Sequence, residues 1–327
     1  MKRIGVTTLV VFCMTLVGLA QTTDEFKPGG RPTMRIFSNY HSTFSDGETA
    51  SAFELTRVYL GYQHQFSKEL FGAAVLDVGN PGVGSLQMTA YVKNAFLRYR
   101  KNGLDVNFGL IATNQFKIQE DNWGYRYHEK SLQDEFGFNS SADLGVSVAY
   151  QFSEVISADV IVSNGEGYKK LQNDSVFRTG FGVTLTPVKK LTGRVYYDFS
   201  SKEHTQSSLA TFIGYEADQF RLGAEYNKQF NWRFQEDQDW SGVSFYATYH
   251  LAKKVKLFAR YDKLYSNTLV GETEAWNLSN DGQVFIAGLE FAPVKGVKLA
   301  PRYKGWSPDD AGQPISSSLY LNCEIRF

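Results

Sequence analysis

The feature that most constrains this chain is an alternation of apolar and polar residues that restarts about sixteen times between residue 33 and the C-terminus. Phe177, Thr179, Phe181, Val183 and Leu185 alternate with Arg178, Gly180, Gly182 and Thr184. Val243, Phe245, Ala247, Tyr249 and Leu251 alternate with Ser244, Tyr246, Thr248 and His250. A period of two places the two sets on opposite faces of a strand. The segments fall at 33–44, 53–66, 69–79, 88–101, 104–113, 143–152, 155–164, 175–186, 190–200, 207–217, 219–230, 241–251, 254–266, 282–292, 296–306 and 317–327. Most are longer than the ~5–6 residues of ordinary globular strands.

The connections alternate as well. Even-numbered segments end in short turns such as Ser67-Lys68, Asn102-Gly103, Ser153-Glu154 and Ala252-Lys253. Odd-numbered ones lead into longer polar stretches: 45–52, 80–87, 114–142, 165–174, 201–206, 231–240, 267–281 and 307–316. A soluble sandwich has no reason to keep its short turns at one end, whereas a transmembrane barrel does. A tilted membrane strand needs ~9–11 residues, and closure leaves no backbone N–H or C=O unpaired in hydrocarbon. The expected fold is therefore all-β, a transmembrane antiparallel β-barrel of about sixteen strands. Aromatic residues near strand ends, such as Phe66, Tyr99, Phe152, Tyr215 and Phe291, would form its interfacial girdles.

The start of the chain reads as an export signal. Lys2 and Arg3 precede the apolar stretch Val6 to Leu19, and Gly18-Leu19-Ala20 offers small residues at a cleavage site, giving a signal over 1–20. Residues 21–32 form a short N-terminal segment, too short for a plug, and 33–327 form the barrel. Cys13 lies in the leader and Cys323 near the end, so the exported chain has no internal disulfide and no multi-thiolate zinc site. The five histidines share no metal-binding spacing, and no cofactor is expected. Lys+Arg and Asp+Glu both number 34. That balance argues against a nucleic-acid partner, which would call for a basic excess.

If the apolar parity meets lipid, the other parity lines the lumen. It carries Arg57, Arg98, Arg178, Arg194, Arg221, Arg260 and Arg302, with Asp198, Glu225 and Asp262 among them. Unpaired buried charges cost several kcal/mol each, so such a wall is wet, and about sixteen strands enclose a water-filled channel. The basic excess on this parity gives a mild anion preference. The alternative is that these arginines pair with neighbouring acids and brace the wall. Cys323 shares its parity with Leu319, Leu321 and Ile325 and is expected to face lipid.

The third long connection, 114–142, carries Phe116, Trp123, Tyr125, Tyr127, Phe136 and Phe138, too many aromatics for a loop in water. Long ordered loops are usually functional. This one is expected to fold into the lumen and constrict it, with Lys117, Glu120, Trp123, Arg126, Glu129 and Lys130 at the opening. Packing against other external loops is the alternative.

The C-terminal stretch Leu319-Tyr-Leu-Asn-Cys-Glu-Ile-Arg-Phe327 alternates and closes on an aromatic. With Phe53-Glu-Leu-Thr-Arg-Val-Tyr-Leu-Gly61, and with Trp123-Gly-Tyr-Arg-Tyr-His-Glu-Lys130 running on to Ser141-Ala-Asp-Leu-Gly145, it resembles Gram-negative outer-membrane porins. The resemblance is to the broad phosphate-selective porin O and P group, near its shorter Bacteroidetes-type members. It implies an outer-membrane location amid lipid and lipopolysaccharide. It implies recognition by the barrel-assembly machinery through Phe327, passive diffusion of small polar solutes or anions, and often a homotrimer. Acids interleave with the basic residues here, unlike the rich basic ladder of the phosphate-selective members. No enzymatic activity is expected. A barrel enzyme of lipase or protease type would need a histidine beside a hydroxyl on one face, yet His41-Ser42 and His204-Thr205 are successive strand residues that point apart. A structural or receptor barrel without an open pore is the other alternative.

Overall fold

A computed structural model describes residues 26–79 and 88–327. The export signal read at 1–20 and the connection read at 80–87 lie outside the described residues. Sixteen strands form: β1 Gly29–Ser45, β2 Glu48–Gln65, β3 Leu70–Gly79, β4 Thr89–Lys101, β5 Leu104–Ala112, β6 Ala142–Gln151, β7 Ile156–Ser163, β8 Arg178–Val188, β9 Leu191–Ser201, β10 Thr205–Glu216, β11 Phe220–Phe230, β12 Trp240–Ala252, β13 Val255–Ser266, β14 Gly282–Phe291, β15 Val297–Pro308 and β16 Ser316–Arg326. Each pairs antiparallel with its chain neighbours. β16 returns to β1, Arg35 opposite Arg326 and Ser45 opposite Ser316, so the sheet closes as the sequence predicts.

The alternation sets the facing. On β9, Arg194, Tyr196 and Asp198 are buried inward, while Val195 is 54% exposed on the outer surface. On β16, Asn322 and Glu324 point inward and are buried, and the free Cys323 between them takes the outward parity, half-buried opposite Ser38 and Leu299. Apolar side chains outside and charged ones inside invert the layout of a soluble domain, and hydrocarbon is the surrounding that makes this stable.

Three local features depart from the sequence reading. The stretch 45–52 is not a loop. β1 starts at Gly29, and β1 and β2 run on as a long hairpin joined by Asp46-Gly47, with φ of 51° and 77°. Positive φ at both positions is the two-residue turn that matches strand twist. The stretch 201–206 likewise shrinks to Lys202–His204 between β9 and β10. Two β-bulges also interrupt strict alternation. The β1–β2 register slips at Phe37/Ser38 and leaves Thr56 without a partner, and the β3–β4 register slips at Val75/Leu76 and leaves Lys93 without one. An extra residue moves everything beyond it to the other face.

The apolar core is inside the barrel. Residues 113–141, between β5 and β6, bring Trp123, Tyr125 and Tyr127 against Phe37 of β1, Phe212 of β10, Tyr246 of β12, Phe258 of β13 and Ile286 of β14. Leu132 and Phe138 pack on Trp240 and Leu264. Contacts reaching strands on so many sides place this loop within the lumen, not over its rim.

Candidate functional site: a lumen narrowed by one loop

The loop is built from two short helices and tight turns. α1, Lys117–Trp123, ends on Gly124, whose φ of 75° suits glycine and whose N–H donates to the Glu120 carbonyl at 2.9 Å. A side chain at Gly124 would also strike the Arg221 guanidinium, 2.6 Å from where its Cβ would stand. α2 spans Leu132–Glu135. Gln115 accepts from Asn139 at 2.7 Å and donates to Gln133 at 2.8 Å, tying the start of the loop to its end.

Four lumenal arginines, each from an odd-numbered strand, donate to loop carbonyls. Arg194 on β9 reaches Asn114 O at 2.9 Å, Arg221 on β11 reaches Trp123 O at 2.8 Å, and Arg302 on β15 reaches His128 O at 2.8 Å. Arg260 on β13 donates to Lys130 O. Gln229 adds a bond to Phe138 O at 3.0 Å. Irregular backbone at membrane depth needs such partners, because carbonyls buried without one are costly.

Most of the same arginines are paired with acids. Arg194 grips Asp159 through two bonds of 2.7 and 3.0 Å. Arg260 grips Asp262, two residues along the same strand and on the same face. Arg302 lies 3.0 Å from Glu129, which Lys304 also binds at 2.8 Å. Glu225 accepts from Asn227 at 3.0 Å and from loop Gln133 at 3.4 Å. Arg178 and Asp198 pair at 3.2 Å near the long-loop ends of β8 and β9. Arg98 pairs with Asp105 beside the short turn joining β4 and β5, away from the loop. Arg57 meets Asp77 at 3.1 Å.

Of the residues expected at the opening, Trp123 is buried in the packed loop, its indole N–H donating to Glu129 O at 3.0 Å. Lys117 is exposed and pairs with Asp121. Arg126 bridges Glu120 at 3.2 Å and Asp134 at 3.1 Å, and Lys130 lies 3.5 Å from Glu135. Arg57, Arg126, Glu129, Lys130 and Arg302 border one cavity of about 240 Å³, with Glu54, Glu135 and Lys304 completing its charged wall.

His128 and Glu129 show the field in this region. His128 packs against both Phe258 and Tyr125, centroids 4.6 and 5.2 Å away, and these two rings touch each other at 4.6 Å. Among the described residues neither ring nitrogen of His128 has a hydrogen-bond partner. Burial, reinforced by Arg302 and Arg260, holds its pKa well below the usual histidine value, so it is neutral. Burial alone would raise the Glu129 carboxyl, but Lys304, Arg302 and Arg260 together pull it down to about 2.

Two lysines that alternation alone does not reveal complete the site. Lys93, the extra residue of the β4 bulge, donates to Ser141 Oγ at 2.6 Å and sits 4.5 Å from the Tyr168 ring. Lys169, in the loop after β7, lies 4.9 Å from the Tyr91 ring. Among the described residues, neither has a carboxylate within ion-pair distance. Counting outward from Arg98 puts position 93 on the lipid face, and only the bulge brings it in. A lysine within an otherwise apolar outward parity is the one signal that marks it.

No protein-family model matches the sequence, and no curated protein sequence does either. Solved structures do match. The outer membrane channel DcaP of Acinetobacter baumannii aligns with a TM-score of 0.66 at 13% identity, over 94% of this chain and 100% of that one. The chain has the fold of outer-membrane porins. An anion-selective porin from Comamonas acidovorans aligns at 0.65 and 9% identity over 92% and 100% of the two chains. OmpT of Vibrio cholerae, in a trimer form, aligns at 0.60 and 13% over 91% and 99%.

Proposed function

We propose that this chain is an outer-membrane porin: a water-filled channel for passive diffusion of small polar or charged solutes, with a mild preference for anions. The carrying observation is a closed barrel whose charged inner wall is narrowed by one loop clamped from four strands. No catalytic step belongs to this reading. Solutes pass beside the loop, where Arg57, Lys93, Arg126 and Lys169 face the lumen. These four cations face three carboxylates, Asp77 beside Arg57 and Glu120 and Asp134 beside Arg126, so one positive charge is in surplus, and it is Lys93 and Lys169 that tip the balance toward anions. An export leader, assembly through terminal Phe327, and a homotrimer embedded among outer-membrane lipid and lipopolysaccharide belong to the same reading. The trimer form of the Vibrio cholerae barrel supports the last of these.

The test is electrical. Purified protein in planar bilayers should give discrete conductance steps, and a salt gradient should give a reversal potential of the sign that anion permeation produces. Bilayers that stay closed would favour a structural or receptor barrel, and a cation-signed potential would remove the anion preference while leaving the channel.

A further inference from the structure

Beyond the constriction, toward the long-loop ends of β12, β14 and β15, lies a second cavity of about 510 Å³. Trp240, Trp306 and Phe136 line it, and the aromatic cluster they belong to also holds Trp232, Trp276 and Phe138, so that four of the chain's five tryptophans stand in one cluster. The rings form a continuous path. Trp276 meets Trp232 at 5.2 Å, Trp232 meets Trp240 at 6.2 Å, and Trp240 stacks on Phe138 at 5.1 Å and 12°. Deeper in, Phe136 and Trp306 lie 6.3 Å apart with planes only 31° from parallel.

Two of the indoles have structural bonds: Trp240 donates to Asp281 at 3.0 Å and Trp276 to the Asp239 carbonyl at 2.9 Å. Trp306 differs. It is half-exposed on the cavity, and none of the described residues accepts from its ring N–H. Beside it stand Glu135, Asn280 and Lys304. Their charges are already balanced, since Lys304 lies 2.8 Å from Glu129 and 3.7 Å from Glu135, and Glu135 lies 3.5 Å from Lys130.

We propose that this cavity binds a neutral saccharide and hands it to the constriction, an inference that rests on the channel reading above. The π faces of Phe136 and Trp306 are electron-rich and suit the slightly positive C–H groups on one side of a pyranose ring. Glu135, Asn280, Lys304 and the Trp306 N–H offer donors and acceptors to hydroxyls at the ring's rim. A hydrocarbon would leave those polar groups unsatisfied. An organic anion would need a basic surplus, and the charges at this cavity are paired. The volume lies within the ~300–1,000 Å³ of small-molecule sites, which likewise combine aromatic walls with a few polar groups.

The test uses the full-length protein in planar bilayers, with glucose, cellobiose and maltotriose as probes and benzoate as the anionic competitor. Ion conductance alone reports the channel. Saccharide added on the long-loop side, to about 100 mM so that a site far weaker than 1 mM still saturates, should lower the current in a saturable way. Saccharide should also change tryptophan fluorescence of the folded protein in detergent. Trp306→Ala should weaken both effects roughly fivefold, and Trp306→Tyr, which keeps an aromatic face and a donor, should restore most of the loss. Phe53→Ala, on the outer surface at 86% exposure, should leave saccharide binding unchanged. Conductance with no saccharide effect on current or fluorescence overturns the inference and leaves the channel standing. So does a response to benzoate in place of sugar. Saturable fluorescence change without conductance keeps the saccharide site and overturns the channel.

Discussion

Arg302 of β15 and Glu129 of the inward loop sit 3.0 Å apart, both almost fully buried, and the same guanidinium donates to the carbonyl of His128 one residue before. One side chain thus holds both a loop charge and the loop backbone. Arg302→Ala leaves the Glu129 carboxylate with Lys304 as its only close partner and frees a buried carbonyl. Removing one member of a buried pair costs on the order of 3–5 kcal/mol. Arg302→Ala should make the loop the first site of limited proteolysis while the barrel keeps its folded mobility on unboiled gels. Adding Glu129→Ala should recover part of the loss, since the double variant removes the stranded charge. Equal protease resistance in Arg302→Ala would mean that the apolar core holds the loop without this clamp.

Loop docking should weaken in acid. Glu129 titrates near 2 when docked and near ~4.3 when free. Its contribution is complete above the free value and lost as pH falls toward 2. The docked His128 resists protonation, whereas a released one takes up a proton below about 6.5, so it acts in the same direction over a higher range. Hydrogen exchange of amides 116–138, corrected for intrinsic rates, should quicken between pH 7 and pH 4 relative to the strands. Exchange that keeps pace with the strands over this range would contradict the assignment.

Lys93 and Lys169 should set the sign of selectivity. Neither pairs with a carboxylate among the described residues, so replacing both by alanine removes two lumenal charges without stranding an acid. The reversal potential should move toward cations with conductance largely kept. Arg194→Ala is different in kind. It strands Asp159 and frees the Asn114 carbonyl, so any change in selectivity should come with a looser loop. If the lysine pair leaves the potential unmoved, the anion preference has another source.

The barrel was legible because its determinants are local. Period-two alternation needs only neighbouring residues, and the asymmetry of turns such as Asn102-Gly103 against 114–142 needs only spacing. What escaped depends on pairing across strands. Asp46-Gly47 carries a turn signal, but the sequence alone does not say that β1 and β2 stay paired up to it. Thr56 and Lys93 are bulge residues only relative to Phe37/Ser38 and Val75/Leu76. The inward loop could be expected from its aromatics. The role of Arg194, Arg221, Arg260 and Arg302 as donors to its carbonyls could not, because it arises where residues some 80 to 170 positions apart meet.

Cys323 should be inert. Its outward parity on β16 makes it a small hydrophobe at the lipid boundary. A membrane-impermeant maleimide should leave it unlabelled in intact membranes and label it after boiling in detergent. Rapid labelling in intact membranes would put the sulfur in the lumen and reverse the facing of β16, including Asn322 and Glu324.

Shortening the loop is the most direct test of constriction. Replacing residues 117–134 by a brief Gly-Ser link removes α1, most of α2 and the aromatic side chains of Trp123, Tyr125 and Tyr127. The ladder from β1 to β16 is untouched, and those hydrogen bonds carry the barrel in hydrocarbon. Phe258, Tyr246 and Ile286 would then face water. Stability should fall while the closed sheet persists, read as a lower temperature of conversion to the unfolded band on gels. Single-channel conductance should rise several-fold, because the loop that fills the lumen is gone. Unchanged conductance would mean that ions pass through a region the loop does not narrow.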